Sequence, residues 1–393
     1  MKRIFYGGYP LEESSWGKIT FLLGENGSGK SRELRRLALR FYAKGSTVIA
    51  ISNTVFDRFP VKKSKHYARL SPASGREYVQ RTLKQALFNG VDEKRDARMI
   101  ARTLQYAGFD PVIGVSPVFR SVEQLAAVDA ILRDDRIAHA DKAILANTIG
   151  SFLRSGTLEP STVMYRLEDD AIRRESHWFP ALIRNESSLK RLKVLKQVTL
   201  LLRKGDSILP LAQASSGELT LIATFAFLST RMREGAVVLV DEPENSLHPR
   251  WQSEYCSRLV DLFHLYSPSV FLASHSPLIV SGAESNSIDT RIVTLPVTGA
   301  SDHIDGGAKS IDGILLEAFG VVSPASHYLS ELITELLSNL SLGKQDLESV
   351  QREIRRLRKL SYDAKQKDFL TGAIELASIV ASESANSVGN NEG

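Results

Sequence analysis

The chain has 393 residues, enough for one large domain or two modest ones, and its 43% hydrophobic and 24% charged residues suit a globular protein with a substantial core. Its 50 Lys and Arg against 45 Asp and Glu leave a net charge of +5, which permits contact with nucleic acid without requiring it. The one cysteine, Cys256, excludes an intrachain disulfide and any metal site built from several thiolates, and reads as a small buried hydrophobe.

The first residues, MKRIFYGGYPLEESSWGK, carry charge but lack the apolar run of a secretory signal. No stretch reaches the roughly 18 apolar residues of a membrane helix. The longest candidate, Leu219–Ser229, is short and flanked by Glu218 and Arg231. The expectation is a cytoplasmic protein of a reducing compartment with no membrane partner.

Strand-like apolar runs occur at Ile19–Leu23, Thr47–Ser52, Ala236–Val240 and Ser269–Ala273. They lack alternation, which predicts strands buried on both faces of a parallel or mixed sheet. Helical patterns follow the first run, in SRELRRLALRFYAK, and the third, in PRWQSEYCSRLVDLFHL. Strand followed by helix, repeated, predicts an α/β class.

Residues 71–204 are mostly charged with helical spacing, as in DARMIARTLQYA and VEQLAAVDAILRDDRI, and predict a mostly helical insertion between two halves of a sheet domain, 1–70 and 205–300. The basic stretch Lys190–Lys196 reads as a solvated helix face rather than a nucleic-acid patch. A helical segment is predicted over 301–381, where Leu347, Val350, Ile354, Leu357 and Leu360 share one face opposite a run of arginines. The final residues, 382–393, are short, polar and predicted to be disordered.

Chemistry concentrates in four places. GENGSGKS, Gly24–Ser31, follows a strand and opens a helix, fitting G-x-x-x-x-G-K-[ST]. Gly24, Glu25, Asn26, Gly27, Ser28 and Gly29 form a loop whose backbone N–H groups can turn inward around phosphates. Lys30 would reach the β- and γ-phosphates of ATP, and Ser31 would ligate Mg²⁺. In AVVLVDEPENSLHP an apolar strand delivers Asp241 and Glu242 at its carboxyl end, Asp241 for the Mg²⁺ shell and Glu242 as general base, with Glu244 the lesser candidate. ASSGE places Ser215, Ser216, Gly217 and Glu218 at a helix start, 24 residues before Asp241 counting from Gly217. Ordinary N-capping also uses serines there. Finally His275, in FLASHSPLIV, follows a strand where a γ-phosphate sensor would sit.

These four motifs, in this order, resemble the ATP-binding-cassette ATPase superfamily, in its soluble RecF/SMC/OLD-like branch. GENGSGKS is similar to the Walker A loop, ASSGE to the signature, VVLVDEPE to Walker B and ASHS to the switch histidine. Asn245–His248 fall in the D-loop position. The resemblance implies a mixed sheet flanked by helices and two chains dimerising head to tail around two ATP. Ser215, Ser216, Gly217 and Glu218 would then act in trans on the partner's nucleotide. Ala214 stands where Leu is common. The Q-loop and a second Mg²⁺ contact fall on Asn53, with Gln80 and Gln85 as alternatives for the Q-loop, and Tyr6 and Tyr9 are the candidates for adenine stacking. Long coiled-coil arms and a TOPRIM nuclease are not visible in the pattern.

Segments such as GSTVIAISNTVFDRFP look similar to standalone ATPase subunits of bacterial anti-phage modules of the Septu and PARIS kind. Those imply a homo-oligomeric switch that holds or releases a separate effector, a nuclease or toxin. The alternative is a RecF- or SMC-like repair ATPase clamping duplex DNA.

Overall fold

The computed structural model describes residues 4–6, 9–11, 19–24, 26–71, 80–84, 94–156, 162–167, 178–295, 303–304, 313, 315–316, 327–361 and 364–389. They divide between two units, the first Met1–Glu33, Pro249–Ser257 and Phe271–Gly393, the second Leu34–His248 and Arg258–Val270.

In the first unit, Ile4–Tyr6 and Tyr9–Leu11 pair antiparallel, with Tyr6 opposite Tyr9. Ile19–Leu23 is buried at every residue, as its unbroken apolar run predicts. It runs parallel to Thr290–Thr294, which pairs antiparallel with His303–Ile304. Just past the strand Ser269–Ala273, which is divided between the two units, the Ser274 N–H donates to the Leu22 carbonyl at 3.2 Å, setting the end of that strand beside Ile19–Leu23. Helix Pro277–Ser285 follows, with proline in its first turn where a missing N–H costs nothing.

Gly282 of that helix has no room for a side chain, since a Cβ would lie 1.9 Å from the Ser253 carbonyl oxygen. Gly282→Ala therefore forces helix and backbone apart and is expected to cost about 1–3 kcal/mol, read as a lowered denaturant midpoint. A midpoint equal to wild type would show that the two segments are not packed this closely. Cys256 is fully buried, and burial pushes its thiol well above the usual range, so it is an inert core residue.

The helices His327–Ser341, Leu347–Leu360 and Ala364–Gly389 have their own apolar core, including Leu329, Ile333, Val350, Ile354, Leu357 and Leu370. Asp346 caps the middle one, its Oδ1 accepting from the Ser349 N–H at 2.8 Å. The face predicted for that helix is the buried one, with Leu347 and Leu360 packed at its margin. The last helix runs to Gly389, into the segment expected to be disordered. Its Ala, Ser and Glu residues tolerate a helix, and neither Pro nor Gly interrupts it between Gly372 and Gly389.

In the second unit Val237–Asp241, buried throughout, lies parallel to Val48–Ser52, with Asp241 opposite Ser52. Val48–Ser52 is in turn parallel to Tyr67–Leu70. The Ser269 N–H donates to the Ala236 carbonyl at 3.0 Å. Parallel strands with connecting helices establish the α/β class.

Beside its helices, the insertion carries strands that the helical pattern does not predict. They belong to a four-stranded antiparallel sheet in the order Val163–Arg166, Val112–Phe119, Leu195–Lys204, Ser207–Pro210, the last strand lying just past residue 204. Helices Lys94–Tyr106, Gln124–Arg133 and His139–Arg154 accompany it. Lys190–Lys196 is a solvated helix face only as far as Arg191, where Glu186–Arg191 ends; from Leu195 the chain is a strand. The reason lies in QVTLLLRK, whose β-branched Val198 and Thr199 and alternating burial suit a pleated, half-buried surface. Charge is neutralised locally, with Lys84 and Lys190 each 2.7 Å from Glu186. Among the described residues no helix is long and apolar enough to cross a membrane.

Candidate functional site

The Gly24–Ser31 loop leaves the buried Ile19–Leu23 strand and turns into helix Lys30–Ala43. Gly24 has φ +148°, and a Cβ there would meet the Leu295 carbonyl oxygen at 2.5 Å, so only glycine fits. Gly27 and Gly29 have φ +88° and +100° with open space beyond them. They turn the backbone left-handed and leave the concave side clear. Lys30 is buried, and its Nζ donates to the Gly24 carbonyl at 2.8 Å, spanning the loop. The Ser28 hydroxyl is buried with no hydrogen-bond partner among the described residues. An unsatisfied buried hydroxyl, an ammonium and a helix N-terminus in one glycine-built cradle fit a polyphosphate ligand. Asn26 and Gly27 are exposed and Ser31 is half-buried in the first turn. Glu25 lies outside the described residues.

His275 follows the carboxyl end of the strand Ser269–Ala273, beside the carboxyl end of Ile19–Leu23. Its neighbour Ser274 is bonded to Leu22, two residues before Gly24. The Ser274 hydroxyl accepts from the Ser276 N–H at 2.9 Å, and the Ser276 hydroxyl donates to Gln252 Oε1 at 2.7 Å. The turn is thus held on both sides of an exposed imidazole.

In the second unit Asp241 ends its strand buried, and Glu242 follows at φ +53°, a left-handed conformation uncommon for glutamate. Such strain marks a position held by its surroundings. The Asn245 N–H donates to the Glu242 carbonyl at 3.2 Å and the Leu247 N–H to the Glu244 carbonyl at 2.9 Å, folding 242–247 into consecutive turns. Glu244 is buried. Asn53 sits directly after Val48–Ser52, its N–H donating to the Asp241 carbonyl at 3.1 Å. Its own carbonyl accepts from Asn245 Nδ2 at 3.0 Å, while its Nδ2 is buried with no hydrogen-bond partner among the described residues. Asn53, Asp241 and Asn245 therefore form one bonded group. Gln80 lies in a helical stretch, 80–84; Gln85 is outside the described residues. Tyr6 and Tyr9 are on the N-terminal strand pair, and only their backbone is described.

The ASSGE segment starts helix Ser216–Arg231 with a capping box. The Glu218 N–H donates to the Ser215 hydroxyl at 3.3 Å, and the Ser215 N–H donates to Glu218 Oε2 at 2.8 Å. Lys204 adds an ion pair to Glu218 Oε1 at 3.3 Å. Burial pushes the Glu218 carboxyl up, but the Ser215 hydrogen bonds and the Lys204 ammonium outweigh it and hold the group below its ordinary range. Ser216 is exposed at the helix N-terminus and Gly217 is buried beneath it. Of the four, Ser216 presents its side chain outward, whereas Ser215 and Glu218 are engaged within their own chain. Lys204 and Gln252 were not legible as site residues, since each reaches its partner only through the fold.

A family model described as "AAA domain, putative AbiEii toxin, Type IV TA system" matches residues 19–281, more than half of the chain. No curated protein matches the chain. Among solved structures, VirB4 of Thermoanaerobacter pseudethanolicus aligns at 13% identity and TM-score 0.25, covering 70% of this chain and 77% of that one. The Smc head domain with an extended coiled coil from Pyrococcus furiosus aligns at 13% identity and TM-score 0.29, covering 74% and 90%.

Proposed function

Because the chain belongs to this AAA-domain family of P-loop ATPases, we propose that it is an ATP-hydrolysing switch that closes head to tail around two nucleotides and so holds or releases a separate effector protein. The observation that carries the reading is the glycine cradle of Gly24–Ser31, with Lys30 spanning it and the Ser28 hydroxyl awaiting an acceptor or donor. In this reading Lys30 neutralises the β- and γ-phosphates of ATP. Ser31 and Asp241 supply hard oxygen ligands of the kind Mg²⁺ takes, with Asn53 an additional polar group beside Asp241. Glu242 orients and deprotonates the attacking water, and His275 senses the γ-phosphate.

Ser216 and Gly217, at an exposed helix N-terminus, offer N–H groups and a hydroxyl to the γ-phosphate bound by the second copy. Ser215 and Glu218 preform that terminus by their capping box. ATP then acts as a bridge that exists only while the γ-phosphate does, which is what a switch requires. The effector is a nuclease or toxin of a bacterial anti-phage module. The family description, which names a toxin and a toxin–antitoxin system, supports membership of a module of that two-part kind.

Trans action has a direct test. Lys30→Ala and Ser216→Arg chains are each expected to be inactive alone, the second because it blocks an exposed helix start without disturbing the core. Mixed, they form dimers containing one intact composite site, and turnover returns. No recovery on mixing would contradict the head-to-tail arrangement.

A further inference from the structure

The residues after Asn53 form an ordered loop with an unusual surface. Val55, Phe56 and Val61 are 72%, 82% and 80% exposed, the most exposed large apolar side chains among the described residues apart from Leu125 and Leu265 at 73%. Exposure of this kind at a phenylalanine is unfavourable unless something covers it. The loop is nevertheless pinned by its own hydrogen bonds. The Phe56 N–H donates to Thr54 Oγ1 at 3.2 Å, and the Phe59 N–H donates to Asp57 Oδ1 at 2.8 Å. Asp57 is buried in an ion pair with Arg69 at 2.6 Å, and Phe59 is buried in the core. Phe56 is thus presented outward by a scaffold fixed on both sides.

The charge around it has one sign. Arg58, Lys62, Lys63 and Lys65 are all exposed, and the only acid between Asn53 and His66, Asp57, is taken by Arg69. Lys62 Nζ lies 4.4 Å from the centroid of the Tyr42 ring, which holds one cation in place by its π-face. An exposed aromatic plane beside several cations is the recognition chemistry of unpaired bases on a phosphate backbone, with stacking supplying contact and lysines following the chain. A duplex would hide its base faces from such a loop, and an apolar protein pocket would offer no anion to Arg58, Lys62, Lys63 and Lys65.

We propose that the loop from Asn53 to His66 binds single-stranded nucleic acid, with Phe56 stacking on a base and Arg58, Lys62, Lys63 and Lys65 meeting the phosphates. The loop begins at Asn53, which is bonded to both Asp241 and Asn245. A strand seated on Phe56 therefore pulls on the group that carries the proposed Mg²⁺ ligand. This second part rests on the ATPase reading; the binding itself does not.

The test uses the full chain and a fluorescein-labelled 20-nucleotide oligo-dT, read by anisotropy without ATP. Wild type binds it more tightly than a 20-base-pair duplex. Phe56→Ala weakens binding by about tenfold, Phe56→Trp retains it, and Lys62→Gln with Lys63→Gln flattens the salt slope by about 1.4. All these side chains are at the surface, so melting temperatures stay within a degree or two of wild type. Oligo-dT binding unaffected by Phe56→Ala, an unchanged salt slope, or no binding would overturn the proposal. So would Phe56-dependent self-association without an effect on oligo-dT, which would make the loop a protein docking surface. Oligo-dT binding that survives in Lys30→Ala separates this site from the ATPase: if turnover is absent in wild type while Phe56-dependent binding remains, the switch reading alone has failed.

Discussion

Glu242→Gln lowers ATP turnover by about 10²–10⁴-fold while ATP binding survives, the range expected when a positioned general base is lost. Val237–Asp241 is a strand with no exposed residue, which fixes where its carboxyl end emerges. Immediately after it the backbone of Glu242 is left-handed at φ +53°, and the next turns are bonded back to it. Glutamine keeps the shape and the ability to hydrogen-bond but cannot take a proton from water at neutral pH. Backbone conformation and phosphate contacts are untouched, so nucleotide affinity stays near wild type. Single-turnover kinetics with labelled ATP checks this. Turnover at the wild-type rate would remove Glu242 from the base role and pass it to the buried Glu244.

Lys30→Ala acts at the other end of the reaction and weakens binding. The ammonium is buried and, in the structure, bonded to the Gly24 carbonyl across the loop it would share with phosphates. A hydrogen bond to a charged group contributes about 1.5–3 kcal/mol, so a fluorescent ATP analogue binds about 10–150-fold more weakly to the variant. The same substitution strips the Gly24 carbonyl of its partner, at a cost of about 1 kcal/mol in the nucleotide-free protein. An analogue affinity equal to wild type would mean that Gly24–Ser31 is not the phosphate site.

Much of this site was visible in the chain because its elements are local. The loop glycines, Lys30 and Ser31 are consecutive, and a strand before and a helix after them could be read from apolar runs and helical spacing. Asp241 and Glu242 stood at the end of such a run for the same reason. The capping box at Ser215 and Glu218 was legible as serine spacing at a helix start. What stayed hidden is what only tertiary structure assembles. Lys204 reaches Glu218 because the hairpin Leu195–Lys204 and Ser207–Pro210 returns to the helix start. Gln252 reaches Ser276 by packing one helix against another turn. The sheet in the insertion was missed because charged residues on its exposed faces imitate an amphipathic helix. QVTLLLRK alternates in a strand but also places apolar groups at helical spacing, and β-branching was the deciding signal. Exposed Phe56 could not be told from a core phenylalanine by composition alone, since burial is decided by the loop's anchors, Asp57 and Phe59.

In the proposed switch, ATP joins two copies through the cradle and the ASSGE helix start. Light scattering on the Glu242→Gln chain measures this joining most directly, with Mg²⁺ and ATP, with Mg²⁺ and ADP, and with ATP and a chelator. The particle mass is expected to double, or to step to an even multiple, only with Mg²⁺ and ATP together, and to fall back when the metal is removed. A mass independent of nucleotide and metal would contradict the proposed switch.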